Sequence, residues 1–119
     1  DGKLEILTFS KFHGDTLAIW HEGQTRDRYE QVWCDPQKRS FLHALWAADL
    51  NGEKCAVIGN RKDGRDLLLV RYVDGEYTVD VIDHDLGPAN CMVYRHDGSD
   101  YIVAAYRETD QLALYKVVE

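Results

Sequence analysis

The sequence predicts an all-β fold built from repeated units of short antiparallel strands, and three observations support this. No stretch keeps a helical period, and apolar runs recur about every ten residues with Gly, Asp and Asn between them. Related stretches begin near residues 2, 51 and 97, with Gly2 and Gly14 lying one interval before Gly52 and Gly64. A repeat of about this length, made of short strands, is typical of a β-propeller blade.

The chain divides into ten predicted strands, and a propeller blade has four, from A innermost to D outermost. The long run 41–48 suits an inner A strand packed on both faces, whereas the alternating run 77–82 suits a half-exposed D strand. We therefore expect about two and a half blades: strands B–D of blade 1 at 1–38, blade 2 at 39–84, and strands A–C of blade 3 at 85–119. The predicted strands are 4–9, 16–21, 28–33, 41–48, 54–59, 66–72, 77–82, 90–95, 100–106 and 111–118.

The expected number of blades has a consequence for partners. Known propellers close with about four to eight blades, so two and a half would leave blade faces exposed. The predicted partners are therefore the remaining blades, supplied either by a longer parent chain or by other copies. The sequence favours the parent chain, because the predicted strands do not group into whole blades.

Composition narrows the class of partner. The chain has 119 residues and a net charge of −7, which argues against a nucleic-acid backbone or an anionic membrane surface. No apolar run approaches the ~20 residues that a membrane helix needs. Cys34, Cys55 and Cys91 show neither a CxxC pair nor a zinc pattern, and the last two lie in apolar strands as core residues do.

The segment 46–52 (WAADLNG), followed by an apolar strand that ends at Gly59, resembles an FG-GAP or VCBS-type propeller repeat. The resemblance covers most of the chain as repeats, with a clear motif only in the middle copy. It implies a propeller fold, and the Asp-rich loop of that family often binds calcium. Here only Asp49, Asn51 and Glu53 correspond to such ligands, and the closing Asp is absent. The alternative is an ordinary turn between strands A and B.

Propeller geometry would place the B-to-C turns and the D-to-A connections on one side of the molecule, around the mouth of the channel. Polar side chains are concentrated in these segments. The predicted ligand-binding face comprises His13, His43, Arg61, Asp63, His84, Asp85, Asn90, Arg107, Glu108 and Asp110.

Two features of this face allow either a chemical or a structural role. His84 lies between two carboxylates, a setting that suits a metal ligand or a general base. The alternative is a structural loop in which Asp83 or Asp85 accepts hydrogen bonds from backbone N–H groups. Arg61 and Arg107 occupy the same place in successive blades. They suit a grip on carboxylate groups, or structural ion pairs with Asp63, Asp110 or a D-to-A carboxylate.

The sequence favours a non-catalytic binding or scaffold module that presents this polar face to a protein or glycan. The alternative is an enzyme of the sugar lyase or dehydratase type, with a channel-mouth His as base and Arg61 or Arg107 holding a carboxylate. A divalent metal is compatible with that alternative. A cluster of two His and a carboxylate would favour the enzyme, whereas individually paired charges would favour the binding module. The fold alone does not decide between them.

Overall fold

The computed structural model describes residues 5–10, 14–25 and 27–118. Strands make up 67% of these residues and no helix occurs among them, so the all-β prediction is confirmed. Each predicted strand is present, within about two residues of its predicted ends. The strands are β1 (Glu5–Ser10), β2 (Thr16–Glu22), β3 (Tyr29–Cys34), β4 (Leu42–Leu50), β5 (Glu53–Asn60), β6 (Leu67–Val73), β7 (Glu76–Asp83), β8 (Pro88–His96), β9 (Ser99–Tyr106) and β10 (Gln111–Lys116).

The strands form three antiparallel sheets, each of consecutive strands. The first sheet is β1-β2-β3, the middle sheet is β4-β5-β6-β7 and the third sheet is β8-β9-β10. The sheets therefore contain three, four and three consecutive strands. No sheet closes on itself among the described residues, so the propeller arrangement stays a prediction.

Three two-residue turns close hairpins at one end of the middle and third sheets. They are Asn51-Gly52, Asp74-Gly75 and Asp97-Gly98, and both residues of each turn have positive φ, between 47° and 84°. This backbone geometry matches the right-handed twist of the paired strands, and Asn, Asp and Gly adopt it at the lowest cost. We call this end of the molecule the turn face.

The centre of the middle sheet is buried on both sides, since one side packs on the first sheet and the other on the third. Successive side chains on each strand point to opposite sides and are divided between these two cores. Ala56 and Ile58 pack toward the first sheet, while Val57 and Leu67 pack toward the third. The core against the first sheet consists of Leu17, Ile19, Leu42, Ala56, Ile58, Leu68 and Val70. The core against the third sheet consists of Ala44, Leu50, Val57, Leu67, Cys91, Ile102, Ala104 and Tyr106.

The first strands of the middle and third sheets share an irregularity. β4 has a register shift between Leu42 and Ala44, and β8 has one between Pro88 and Asn90. Each shift lies where the strand enters its sheet. The two sheets are therefore structural repeats down to the position of a β-bulge, a feature that re-aims the chain locally.

The prediction that 41–48 is packed on both faces is wrong for its second half. Leu45 and Trp46 are 38% and 41% exposed. β4 is an edge strand of the middle sheet, and the first sheet has no strand equivalent to β4 among its described residues. Leu45 instead borders a cleft of about 970 Å³ between the first and middle sheets.

The core positions predicted for two cysteines, Cys55 and Cys91, agree with their partial and full burial. Cys91 is buried and Cys55 is half-buried, whereas Cys34 is exposed, and all three are free thiols. Burial raises the pKa of Cys91 to about 11, so this thiol is held in its protonated, unreactive form.

Candidate functional site

The turns and connections at the end opposite the turn face form one continuous polar surface. We call it the loop face, and it comprises residues 14–15, 35–41, 61–66, 84–87 and 107–110. Backbone hydrogen bonds join the segments: the Leu42 N–H donates to Gly14 O (3.0 Å), Arg61 N–H to Phe41 O (2.9 Å) and Asp85 N–H to Gly64 O (3.0 Å). Each inter-sheet connection is therefore anchored to the turn that precedes it.

A buried ion pair fixes the first connection. Asp35 and Arg39 have side chains that are only 3% and 8% exposed, and Arg39 Nε lies 2.9 Å from Asp35 Oδ2. The other oxygen of Asp35 accepts the Gln37 N–H at 3.0 Å. Because both oxygens and the guanidinium are engaged, this pair has a structural role, as buried charges in good geometry usually do.

Asn60 holds the turn between β5 and β6. Its side chain is buried; Oδ1 accepts the Asp66 N–H at 3.2 Å and Nδ2 donates to Lys62 O at 2.8 Å. Asp63, at the tip, has a φ of 53° and accepts a hydrogen bond from the Ser40 hydroxyl. Asp63 thus ties this turn to the preceding connection.

Arg61 joins the turn of the middle sheet to the turn of the third. Its Nη2 and Nε lie 2.8 and 3.0 Å from Glu108 Oε1, and the guanidinium carbon lies 5.2 Å from the centre of the Phe41 ring. Arg61 thus forms an ion pair, but its partner is Glu108 and not Asp63, Asp110 or a D-to-A carboxylate, the partners predicted for a structural pair. Glu108 lies 47 residues away, and only the stacking of the sheets brings it close.

The ion pair also shapes the titration of Glu108. Desolvation raises the pKa of this carboxyl, but the hydrogen bond and the charge of Arg61 oppose it, and the net pKa is lowered. Gly87, with a φ of 72°, lies directly beneath the carboxylate, since a Cβ placed there would be 2.5 Å from Glu108 Oε2. The carboxylate therefore fills the space that the glycine leaves.

His84 and Asp85 form an exposed pair in the second connection. His84 Nδ1 lies 2.7 Å from Asp85 Oδ2, and the two side chains are 71% and 73% exposed. This hydrogen bond and the charge of Asp85 raise the pKa of His84. Asp83 Oδ1 accepts the His84 N–H at 2.9 Å, the loop role that the sequence left open for this carboxylate.

His43 and Asn90 lie near the seam between the middle and third sheets. His43 Nδ1 lies 2.6 Å from Ala89 O, and its ring stacks on Phe41 at a centroid distance of 6.0 Å. Asn90 is exposed, and its Oδ1 accepts the Cys91 N–H at 2.9 Å. His43 thus contacts the third sheet through a backbone carbonyl.

Arg107 and Asp110 lie in the turn between β9 and β10, and both are exposed. The Asp110 N–H donates to Arg107 O at 3.3 Å, which closes the turn. His13, also predicted for this face, lies outside the described residues.

Sequence reasoning missed a hydrogen-bond chain beside the loop face. Tyr115 Oη donates to Asp83 Oδ2 at 2.6 Å, and Tyr106 Oη lies 2.5 Å from Tyr115 Oη. Burial, followed by the hydrogen bond to Asp83, raises the pKa of Tyr115, so the phenol remains protonated and can donate. These three residues line an open pocket of about 460 Å³. No local sequence motif marks this series of hydrogen bonds, because its three residues lie on the separate strands β7, β9 and β10.

The possible calcium ligands take part in other interactions. Asp49 Oδ1 lies 3.6 Å from Lys54 Nζ. Asn51 belongs to a two-residue turn, and its backbone N–H donates to Asp100 Oδ2 at 2.7 Å. Over the described ranges, no group of three or more His, Cys, Asp or Glu side chains is placed to hold a metal ion. The observed geometry is that of a turn between paired strands, with Glu53 paired to Leu50 across it.

Comparison with known proteins adds no identification: neither a family model, nor a curated protein, nor a solved structure matches this chain. The part of the chain that the structure describes contains no helix that is long and apolar enough to cross a membrane.

Proposed function

We propose that this chain is a non-catalytic propeller-type module, similar to FG-GAP or VCBS repeats, whose loop face binds a protein or glycan. The three sheets correspond to successive blades in this proposal. Two features support it: the stacking of the sheets through apolar cores on both sides of the middle sheet, and the shared bulge of β4 and β8.

The observation that carries the binding proposal is how the charges of the loop face are used. The pair of Asp35 and Arg39 fixes the first connection. The pair of Arg61 and Glu108 joins two turns that are distant in the sequence. Charges engaged in this way build a rigid platform. An acid–base site instead needs titratable groups gathered around one reacting atom.

The exposed groups on this platform are the candidates for ligand contact. His84, Asp85, Arg107 and Asp110 are exposed and belong to two neighbouring connections of the loop face. They present both donors and acceptors, including a guanidinium group suited to carboxylate or sugar hydroxyl groups. Because backbone bonds anchor the loops that carry them, little ordering is required when a ligand binds.

The test is a glycan array of neutral and acidic oligosaccharides together with a random peptide library, probed with the intact chain. We expect a ligand whose binding is lost in Arg107→Ala and weakened in His84→Ala. The matched control is Lys54→Ala, which removes an exposed cation from the opposite end of the molecule and should leave binding unchanged.

Two outcomes would overturn the proposal. One is a bound ligand whose affinity is insensitive to both loop-face substitutions but sensitive to Lys54→Ala. The other is turnover of a uronic-acid-containing oligosaccharide by the intact chain that is abolished by His84→Ala, which would establish the lyase-type alternative.

A further inference from the structure

The third sheet has an uncovered apolar face on the side away from the middle sheet. Leu112 and Leu114 are 75% and 57% exposed, and Met92 and Tyr94 are 39% and 37% exposed. Alternation along the strands places these side chains opposite Cys91, Ile102 and Ala104, which are buried against the middle sheet. The face comprises Met92, Tyr94, Tyr101, Val103, Leu112 and Leu114, and we call it the outer face of the third sheet.

Strand register shows what this face corresponds to. On the third sheet, Leu114 pairs with Val103 and Leu112 with Ala105; on the middle sheet, Leu69 pairs with Val57 and Leu67 with Gly59. The outer face thus repeats, position for position, the side of the middle sheet that packs on the third sheet. There the equivalents Val57 and Leu67 are fully buried.

The first sheet carries the other half of the same contact. Leu7 and Ile19 pack toward the middle sheet, so alternation puts Ile6, paired with Trp20, on the opposite side of the first sheet; Ile6 is 41% exposed, and on the edge strand β1 it also borders the cleft to the middle sheet. Its equivalent pair on the middle sheet is Ala56 and Val70, which are buried against the first sheet.

We propose that a second copy of this chain seats the outer side of its first sheet on the outer face of the third sheet. The contact is head to tail: it joins the side of the third sheet and the side of the first sheet whose equivalents on the middle sheet are both buried. It uses two different surfaces of one chain, so it is heterologous, and it produces either a closed ring or a growing stack. The inference does not depend on what the loop face binds.

The experiment is the mass of the intact chain in solution, measured by light scattering over a range of concentrations. We expect a particle of two or more chains. Leu112→Glu and Ile6→Glu each place a charge in the contact, and each should weaken association by roughly 100-fold and give a monomer. Both side chains are exposed in the single chain, so folding should be retained, which circular dichroism checks.

Mixing the two variants tests the orientation of the contact. A head-to-tail contact leaves the outer face intact on Ile6→Glu and the first sheet intact on Leu112→Glu, so the mixture should form a heterodimer that neither variant forms alone. Val81→Glu is the control, because Val81 is 55% exposed on the middle sheet and lies outside both surfaces. It should associate as the unmodified chain does.

Three results would overturn the proposal. The unmodified chain could stay monomeric at every concentration. Alternatively, Ile6→Glu could still associate alone while Leu112→Glu does not, which would mean that two third sheets pack face to face. Loss of association in Val81→Glu as well would show that the contact lies elsewhere. If Leu112→Glu is misfolded, Leu114→Lys probes the same face.

Discussion

Gly59 is the position where a single added carbon should test the stacking of the middle and third sheets. A Cβ built there would lie 2.4 Å from Pro88 Cγ, 2.6 Å from Pro88 Cβ and 3.1 Å from Pro88 O. Pro88 is fully buried at the entrance to β8, and its ring is rigid. The clash in Gly59→Ala is therefore relieved only if the two sheets move apart.

The magnitude follows from the cost of overpacking. Inserting a carbon into a well-packed site destabilises a protein by about 1–3 kcal/mol, which in a chain of this size lowers the Tm by roughly 4–12 °C. Gly59 does not have a positive φ, so no backbone strain contributes. At an unobstructed site of this kind, Gly→Ala would instead stabilise by about 0.4–1 kcal/mol. The sign of the change is therefore diagnostic.

The assay is urea unfolding followed by tryptophan fluorescence, in a double-mutant cycle with Pro88→Gly. We expect Gly59→Ala to cost less in the Pro88→Gly background than in the unmodified chain, because the obstructing ring is gone. Ala47→Ser is the control, since Ala47 is exposed on the same sheet as Gly59, and its change should stay within about 0.5 kcal/mol. A Gly59→Ala protein as stable as the unmodified chain, or strict additivity in the cycle, would refute this packing.

Three further predictions concern polar contacts between sheets. Arg61→Met keeps the aliphatic stem but leaves Glu108 unpaired, so the free energy of unfolding in urea should fall by about 1–2 kcal/mol; an unchanged value would show that the pair is not formed in solution. The N–H of Asn51 lowers the pKa of Asp100 below 3.8, so its stabilisation is present above that pH and lost as pH falls through the lowered pKa. Asp100→Asn should therefore flatten the acid limb of a pH–stability curve, whereas an acid limb as steep as that of the unmodified chain would contradict this. Tyr115→Phe removes the hydrogen bond to the Asp83 carboxylate, so the free energy of unfolding, measured by thermal melting, should fall by about 1–3 kcal/mol. An unchanged free energy would show that this hydrogen bond adds nothing to stability, as when water replaces the phenol.

Local sequence patterns predict the strands and turns well because they act over short distances. The pairs Asn51-Gly52, Asp74-Gly75 and Asp97-Gly98 require only two residues that tolerate positive φ. The alternation of 77–82 predicts the strand but not its burial: Val79 packs toward the first sheet and Ile82 toward the third, whereas Val81 is 55% exposed. These signals were sufficient to predict ten strands and their division into three sheets.

The contacts between sheets were not predictable in the same way. The partner of Arg61 is Glu108 rather than a nearer carboxylate, because the stacking distance and twist of two sheets decide which side chains meet. The bulge at His43 and the exposure of Leu45 have the same origin, since both depend on what lies beside β4. A single sequence contains no local pattern that encodes such a neighbour.

The two proposals about this molecule reinforce each other through geometry. The loop face gathers the connections of all three sheets at one end, because every sheet runs its strands in the same alternating sense. A second copy that continues the stack head to tail would therefore place its own loop face beside the first. Two adjacent copies of the exposed groups around His84 and Arg107 would then meet a repetitive ligand together. Weak contacts at each copy would combine by effective concentration, so Ile6→Glu should lower the apparent affinity for a repetitive ligand without altering a single loop-face residue.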